Sequence, residues 1–246
     1  MQPLLDRTLI VAPHPDDEAI AAGGLIQRAL ARGGRVRAVF ITDGDNNPWP
    51  QRVMKKKWRI SAAERAEWGA RRRDEARASL RFLGCTSDDD AIFLGYPDHA
   101  MASYARRGDR RVIDALREIV ASFNATTIVA PSVYDLHADH RAIAWFAHSA
   151  ASEREILTYV VHGAPEEERL ALRLVLTPEE ATIKRNAIEH HQSQMLLSRE
   201  RFLSYARDVE LFYRSEVDIM RIDSRVFQLR CKIKHAARVV RNKGAD

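Results

Sequence analysis

Residues 11–18 read VAPHPDDE, an apolar run that stops abruptly at a histidine, two aspartates and a glutamate set around Pro15. Residues 8–12 have the length and β-branched content of a buried strand. The polar cluster therefore stands at a strand exit, where side chains can be aimed together into a cleft. Residues 17–32 carry Ile20, Leu25, Ala29 and Leu30 at helical spacing, and Gly33 and Gly34 follow as a stop. Asp16 and Asp17 thus fall at a helix N-terminus, where free N–H groups and the helix dipole favour carboxylates. Two readings stay open at this point: a pair of acidic caps that bind nothing, or the first half of a site.

A second polar cluster follows the strand at 126–130. The sequence PSVYDLHADH at residues 131–140 places His137, Asp139 and His140 after that strand's exit. In a parallel sheet both exits lie at the same edge, so the two clusters can meet there. Imidazole and carboxylate together suit zinc, and three protein ligands leave a fourth position for water. His14, Asp17 and His140 make such a set; the competing reading keeps the acids as caps and the histidines on the surface.

Further strand-length apolar runs occur at 36–41, 91–94, 156–161 and 172–176. Ser61 and Glu64 have capping-box spacing and open a long charged helix that ends near Leu83 and Gly84. Residues 110–123 carry Val112, Ile113, Leu116, Ile119 and Val120 along one helical side. This alternation predicts an α/β fold, a Rossmann-like single domain over residues 1–224 with a mostly parallel sheet flanked by helices. Residues 43–52, DGDNNPWPQR, with two prolines around Trp49, read as a loop that can cover the site.

Hydrophobic residues make up 46% and charged residues 30% of the 246, a globular balance that argues against a disordered or collagen-like chain. No run of about 18 uncharged apolar residues occurs. The first residues show no basic segment leading into an apolar stretch, so a cytoplasmic protein is expected. Cys85 and Cys231 lie far apart without CxxC spacing, which predicts two reduced thiols in place of a disulfide or a cysteine–zinc site. The net charge of +5 favours anionic partners, although nucleic acid is not expected. Seven Lys or Arg and no acid fall between Arg225 and Lys243, with Val226, Leu229, Ile233, Ala237 and Val240 at helical spacing. Residues 225–246 therefore read as a basic amphipathic C-terminal helix or tail. Such a helix can pack on its own domain or on a partner in a homo-oligomer; it can also make peripheral contact with an anionic membrane or touch a phosphorylated substrate carrier.

The two clusters in this order resemble the LmbE-like or PIG-L zinc-dependent de-N-acetylases, which act on N-acetylglucosamine attached to inositol, malate or lipid carriers. The likeness rests on Pro13, His14, Pro15, Asp16, Asp17 and Glu18, then on Asp135, His137, Asp139 and His140. It extends through Arg72 and Glu75 before LGC, FLGYPD at 93–98, and Lys184, His191, Ser193 and Gln194, to about Phe212. The resemblance implies removal of an N-acyl, expected to be N-acetyl, group from an amino sugar or its conjugate. It also implies Zn2+ held by His14, Asp17 and His140, Asp16 as general base, and a protonated His137 as catalytic acid or oxyanion stabiliser. Those roles are physically sensible, since zinc polarises an acyl carbonyl and acidifies water while a carboxylate takes the proton. Asp139 would orient a histidine, as carboxylates behind metal ligands do. Two departures stand out: Ala138 replaces the usual proline of HPDH, and TDGD at 42–45 with the insert through Trp49 does not follow the family pattern.

Arg72 reads either as a binder of an anion or sugar hydroxyl or as part of a solvated, ion-paired helix face. Asp98 reads as a substrate contact or a turn residue. His191 and Gln194 are expected to be structural or to support the site residues from behind, and His99, His148, His162, His190 and His235 ordinary. Two other functions compete. A metal-dependent phosphoesterase would need more convergent ligands for a two-metal site than these clusters offer. A non-enzymatic sugar- or nucleotide-binding protein would be favoured by a GxGxxG or GxxxxGKS loop, and the sequence has neither.

Overall fold

The computed structural model describes residues 5–151, 153–163 and 167–215; the basic segment expected over 225–246 and Cys231 lie outside them. The strands are β1 (Arg7–Ala12), β2 (Arg35–Thr42), β3 (Ala91–Tyr96), β4 (Thr127–Pro131), β5 (Glu155–Tyr159), β6 (Leu170–Val175) and β7 (Val209–Arg214). They form one seven-stranded sheet in the order β3-β2-β1-β4-β5-β7-β6. The pairs among β1 to β5 are parallel, while β7 runs antiparallel to both β5 and β6. The expected α/β domain with a mostly parallel, helix-flanked sheet is what the chain forms.

Nine helices lie among the described residues: α1 (Asp17–Ala31), α2 (Pro48–Lys55), α3 (Ala62–Phe82), α4 (Met101–Arg106), α5 (Arg111–Phe123), α6 (Ala138–Ala151), α7 (Pro178–Glu189), α8 (Gln192–Met195) and α9 (Arg199–Leu203). The central strands are apolar at successive positions because both faces are covered. Ile10 and Ala12 join a core under α1, α3 and α7, with Leu25, Ala76, Leu80 and Ile188. Leu9 and Val11 point the other way, to α4, α5 and α6, with Met101, Leu116 and Phe146. Each buried Leu, Ile or Val among them contributes roughly 1.5–3 kcal/mol, so β1 is held from both sides. The capping box at Ser61 and Glu64 starts α3 as expected.

Two elements depart from the sequence reading. Residues 48–52, expected within a loop over 43–52, instead begin α2. Pro48 occupies the first helical turn, where a missing N–H breaks no helical bond. Strand β7 was not expected at all, because Glu210 interrupts its apolar pattern. That carboxylate is nevertheless buried: it accepts the N–H groups of Gly24 (2.7 Å) and Leu25 (2.9 Å) in α1 and pairs with Lys184 Nζ at 2.8 Å. No described helix is long and apolar enough to cross a membrane. Cys85 is a free, buried thiol whose pKa burial pushes up to about 12.

Candidate functional site

The sheet order explains why the two polar clusters meet. From β1 the chain winds outward through β2 to β3, then returns to place β4 on the other side of β1. The crevice at the carboxyl ends of β1 and β4 is the switch point where ligands bind in open α/β sheets. VAPHPDDE leaves β1 and PSVYDLHADH leaves β4 at that crevice.

Asp17 Oδ2 is the point of convergence. It accepts the His14 backbone N–H (2.9 Å) and lies 3.3 Å from both His14 Nδ1 and His140 Nε2. Asp16, at the N-cap of α1, makes no side-chain cap hydrogen bond, and Asp17 in the first turn faces back to His14. One donor atom each from His14, Asp17 and His140 falls within 4.8 Å of the others. His140 is fully buried, and its Nε2 has no partner in hydrogen-bond geometry despite the nearby Asp17 oxygen. An orphaned buried imidazole nitrogen facing a carboxylate and a second imidazole fits a small N,N,O-ligated cation such as zinc.

Carboxylates also stand behind both histidines. His14 Nε2 lies 3.1 Å from Asp98 Oδ1, and His140 Nδ1 lies 3.2 Å from Asp135 Oδ2. Asp135 is fixed in turn, its Oδ1 accepting from the His137 N–H (2.8 Å) and its Oδ2 from Val161 (2.9 Å) and His162 (3.1 Å). The Asp98 contact is a hydrogen bond that orients the His14 ring, whereas His140 Nδ1, like its Nε2, is outside hydrogen-bond geometry, so Asp135 acts on that ring by charge. Burial opposes protonation of His14, yet Asp17 and Asp98 overcome it and bring its pKa to about 9. His140 is likewise raised well above its usual range against burial, by Asp17 and Asp135. Burial works against Asp17 too, but His140 and His14 hold its carboxyl well below the usual carboxylate range.

Asp16 stands beside this set and is backbone-strained. Its φ of 140° and ψ of −28° lie where L-residues rarely sit. Its N–H donates to Glu18 Oε2 (2.9 Å), and Glu18 Oε1 meets His191 Nε2 at 3.0 Å, both side chains being fully buried. Arg72 donates to the Pro15 and Gly44 carbonyls and to Asp16 Oδ2. Burial raises the Asp16 carboxyl to about 6, with Arg72 acting in the opposite direction.

Several expected roles shift. Arg72 is 4% exposed: it is not on a solvated face, and its hydrogen bonds hold the chain around Asp16. Asp139 makes no hydrogen bond to a histidine ring; it accepts from the backbone N–H groups of His99 (2.7 Å) and Met101 (3.2 Å), and the carboxylate beside His140 is Asp135. Asp98 combines its turn role, accepting from Asn46 and His99 N–H, with the contact to His14. A second potential ligand group, His14, Asp98 and Asp139, shares His14 with the first, but its two carboxylates are already bonded as just described. Burial, then His140 and His14, lower His137 to about 2, which favours a neutral imidazole over the protonated one expected.

These groups open into a cavity of about 520 Å3 whose far wall is Leu197, Ser198, Arg201, Phe202 and Tyr205, a size suited to a small-molecule ligand. His99 and His162, expected to be ordinary, both line it, and the His162 ring centre lies 5.2 Å from that of His140. His162 just follows a strand expected to end at 161, so the strand-exit argument applied to the first two clusters would have found it. The wall around α9, residues 197–205, carries no comparable sequence signal.

The fold and the site together define an α/β domain with one His/Asp cluster, able to hold a metal, at its topological switch point. The family model described as PIG-L, GlcNAc-PI de-N-acetylase, matches residues 9–151, and the chain belongs to that family. It is 30% identical over 165 residues to 2'-N-acetylparomamine deacetylase of Streptomyces fradiae, covering 65% of this chain and 57% of that protein. It is 34% identical over 114 residues to 1D-myo-inositol 2-acetamido-2-deoxy-alpha-D-glucopyranoside deacetylase of Mycobacterium tuberculosis, covering 44% of this chain and 35% of that one. The matches thus leave more than a third of each relative uncovered. The structure of N,N'-diacetylchitobiose deacetylase from Pyrococcus horikoshii shares the fold, with a TM-score of 0.65, 23% identity, and coverage of 84% of this chain and 82% of that one.

Proposed function

We propose that the protein is a zinc-dependent hydrolase that removes an N-acetyl group from an amino sugar or amino-sugar conjugate. The observation that carries this reading is the pairing of a three-ligand cluster, His14, Asp17 and His140, with a separate, strained carboxylate, Asp16, outside that cluster. Zinc bound there would supply Lewis-acid polarisation and a more acidic water. The rest falls to the chain. Asp16, with a pKa of about 6, is ionised at neutral pH yet basic enough to accept a proton from water. Arg72 and Glu18 hold it in position. The neutral His137 can present an N–H to an oxygen that gains charge as the amide carbon becomes tetrahedral. The proton taken by Asp16 is the one the departing amine requires, so hydrolysis balances as amide plus water giving acetate and a free amine. The names of the related deacetylases support an acetamido sugar as substrate, and the cavity accommodates one.

The test is acetate release from N-acetylglucosaminides by the metal-loaded protein. Asp16→Asn should keep about one zinc per chain and lose on the order of 10² to 10⁴ in turnover. Turnover near that of the unsubstituted protein would overturn Asp16 as the base, and phosphate release without acetate release would overturn the reaction class.

A further inference from the structure

Between Asp45 and Glu64 the sequence has no acidic residue and five cations, Arg52, Lys55, Lys56, Lys57 and Arg59. The same stretch leaves four large apolar side chains open: Trp49 is 54% exposed, Val53 54%, Met54 37% and Trp58 70%. The site described above uses none of these side chains. Of these, Trp49 ends the insert that departs from the family pattern.

The geometry gathers them into one surface. At the end of α2, Lys56 takes a left-handed conformation (φ 52°, ψ 38°) and the chain doubles back, so that Arg52 Nε donates to the Trp58 carbonyl at 2.8 Å. The Arg52 guanidinium sits 4.9 Å from the Trp49 ring centre and 4.3 Å from that of Trp58, and the two indoles meet edge to face at 6.0 Å. The patch is fastened to α3 by Lys55–Glu67 (2.7 Å), Lys57–Glu64 (2.9 Å) and an Arg71 contact to Met54 Sδ (3.2 Å). Lys56 and Arg59 have no acidic partner among the described residues.

Exposed indoles interleaved with unpaired cations match the chemistry of a lipid headgroup layer. Indole rings partition to that depth, long basic side chains keep their charge in water while their stems cover apolar surface, and anionic lipids attract clustered Lys and Arg. A protein interface is a poorer match, because such interfaces are depleted in Lys at their cores. A neutral glycan would have no use for the charge.

We propose that α2 and residues 56–59 dock this protein on an anionic lipid bilayer, with Trp49 and Trp58 in the headgroup region and Lys56 and Arg59 toward the lipid phosphates. Asn47, the N-cap of α2, lines the catalytic cavity, so docking through this patch holds the cavity beside the bilayer.

The experiment is co-sedimentation of the full-length protein with phosphatidylcholine vesicles, with and without roughly 30 mol% phosphatidylglycerol. Binding is expected only to the anionic vesicles, with a blue shift of tryptophan emission, and should disappear in 1 M salt, where the Debye length falls to about 3 Å. Trp49→Ala/Trp58→Ala and Lys56→Glu/Arg59→Glu should each lower the partition constant at least about tenfold. Circular dichroism and acetate release from a water-soluble substrate should stay unchanged in both. Three results would overturn the proposal: no preference for anionic vesicles, full binding retained by both double variants, or a dimer in solution that Trp49→Ala/Trp58→Ala dissolves. Binding is read without substrate, so a failure here is distinct from a failure of the hydrolase reading.

Discussion

Replacing Arg72 with Lys would keep the positive charge and remove the planar fork. The guanidinium is 4% exposed and bonds the Gly44 carbonyl at 2.9 Å, Asp16 Oδ2 at 3.1 Å and the Pro15 carbonyl. An ammonium is a point donor without that fork, so about two of the three contacts should be lost. A hydrogen bond involving a charged group contributes about 1.5–3 kcal/mol net; allowing for partial compensation by the ammonium, Arg72→Lys should destabilise by roughly 2–4 kcal/mol. For a domain of this size that corresponds to a Tm lower by roughly 6–12 °C. The sign of the pH dependence follows from Asp16. Its folded-state pKa of about 6 is raised from 3.8, so its contribution to stability is present below about 4 and lost as pH rises through about 6. Weakening the opposing cation raises that pKa further. The difference in stability between the two proteins should therefore be larger at pH 8 than at pH 5. A base that works when ionised loses activity as pH falls through its pKa, so the acid limb of kcat/KM should move to higher pH in the variant. Thermal melts at both pH values and a pH–rate profile test this. Equal Tm values together with an unmoved acid limb would show that Arg72 does not hold Asp16.

The carboxylates behind His14 and His140 give two further expectations. Asp98→Asn and Asp135→Asn should each weaken metal binding about 10- to 100-fold in chelator competition, and undiminished affinity in both would refute their supporting role. Because carboxylates raise His14 to about 9 and His140 well above its usual range in the metal-free protein, a metal must displace protons to bind. Zinc affinity should then rise with pH toward about 9, with proton release measurable by calorimetry in buffers of different ionisation enthalpy. A flat profile would mean that these histidines are not the ligands.

How much of this was legible in one dimension depended on whether a residue's partner lay nearby in sequence or across the fold. Strand exits could be read because an apolar run ending at charge is a local pattern, and the capping box at Ser61 and Glu64 is local as well. Strand β7 could not be read, because Glu210 is apolar in neither type nor pattern and is burial-competent only with Lys184 and two α1 amides around it. Arg72 was open to a solvated-face reading for the same reason: a helix rich in Arg and Glu looks solvated until α3 is laid against the loops holding Pro15 and Gly44.

The sequence by itself determined that strands and helices alternate and that His14, Asp17 and His140 leave strands whose exits share one edge, because periodicity and residue type are properties of the chain alone. Tertiary structure decided which carboxylate stands behind which imidazole. Asp139 is adjacent to His140 in sequence, yet at the start of α6 its side chain turns to the backbone of residues 99 and 101, while Asp135 reaches His140 Nδ1 across the loop. It also decided that Asp16, next to Asp17, takes a strained backbone held by Glu18 and Arg72. Neighbours in sequence on a turn point in different directions, and only packing against distant segments selects which of those directions meets a partner.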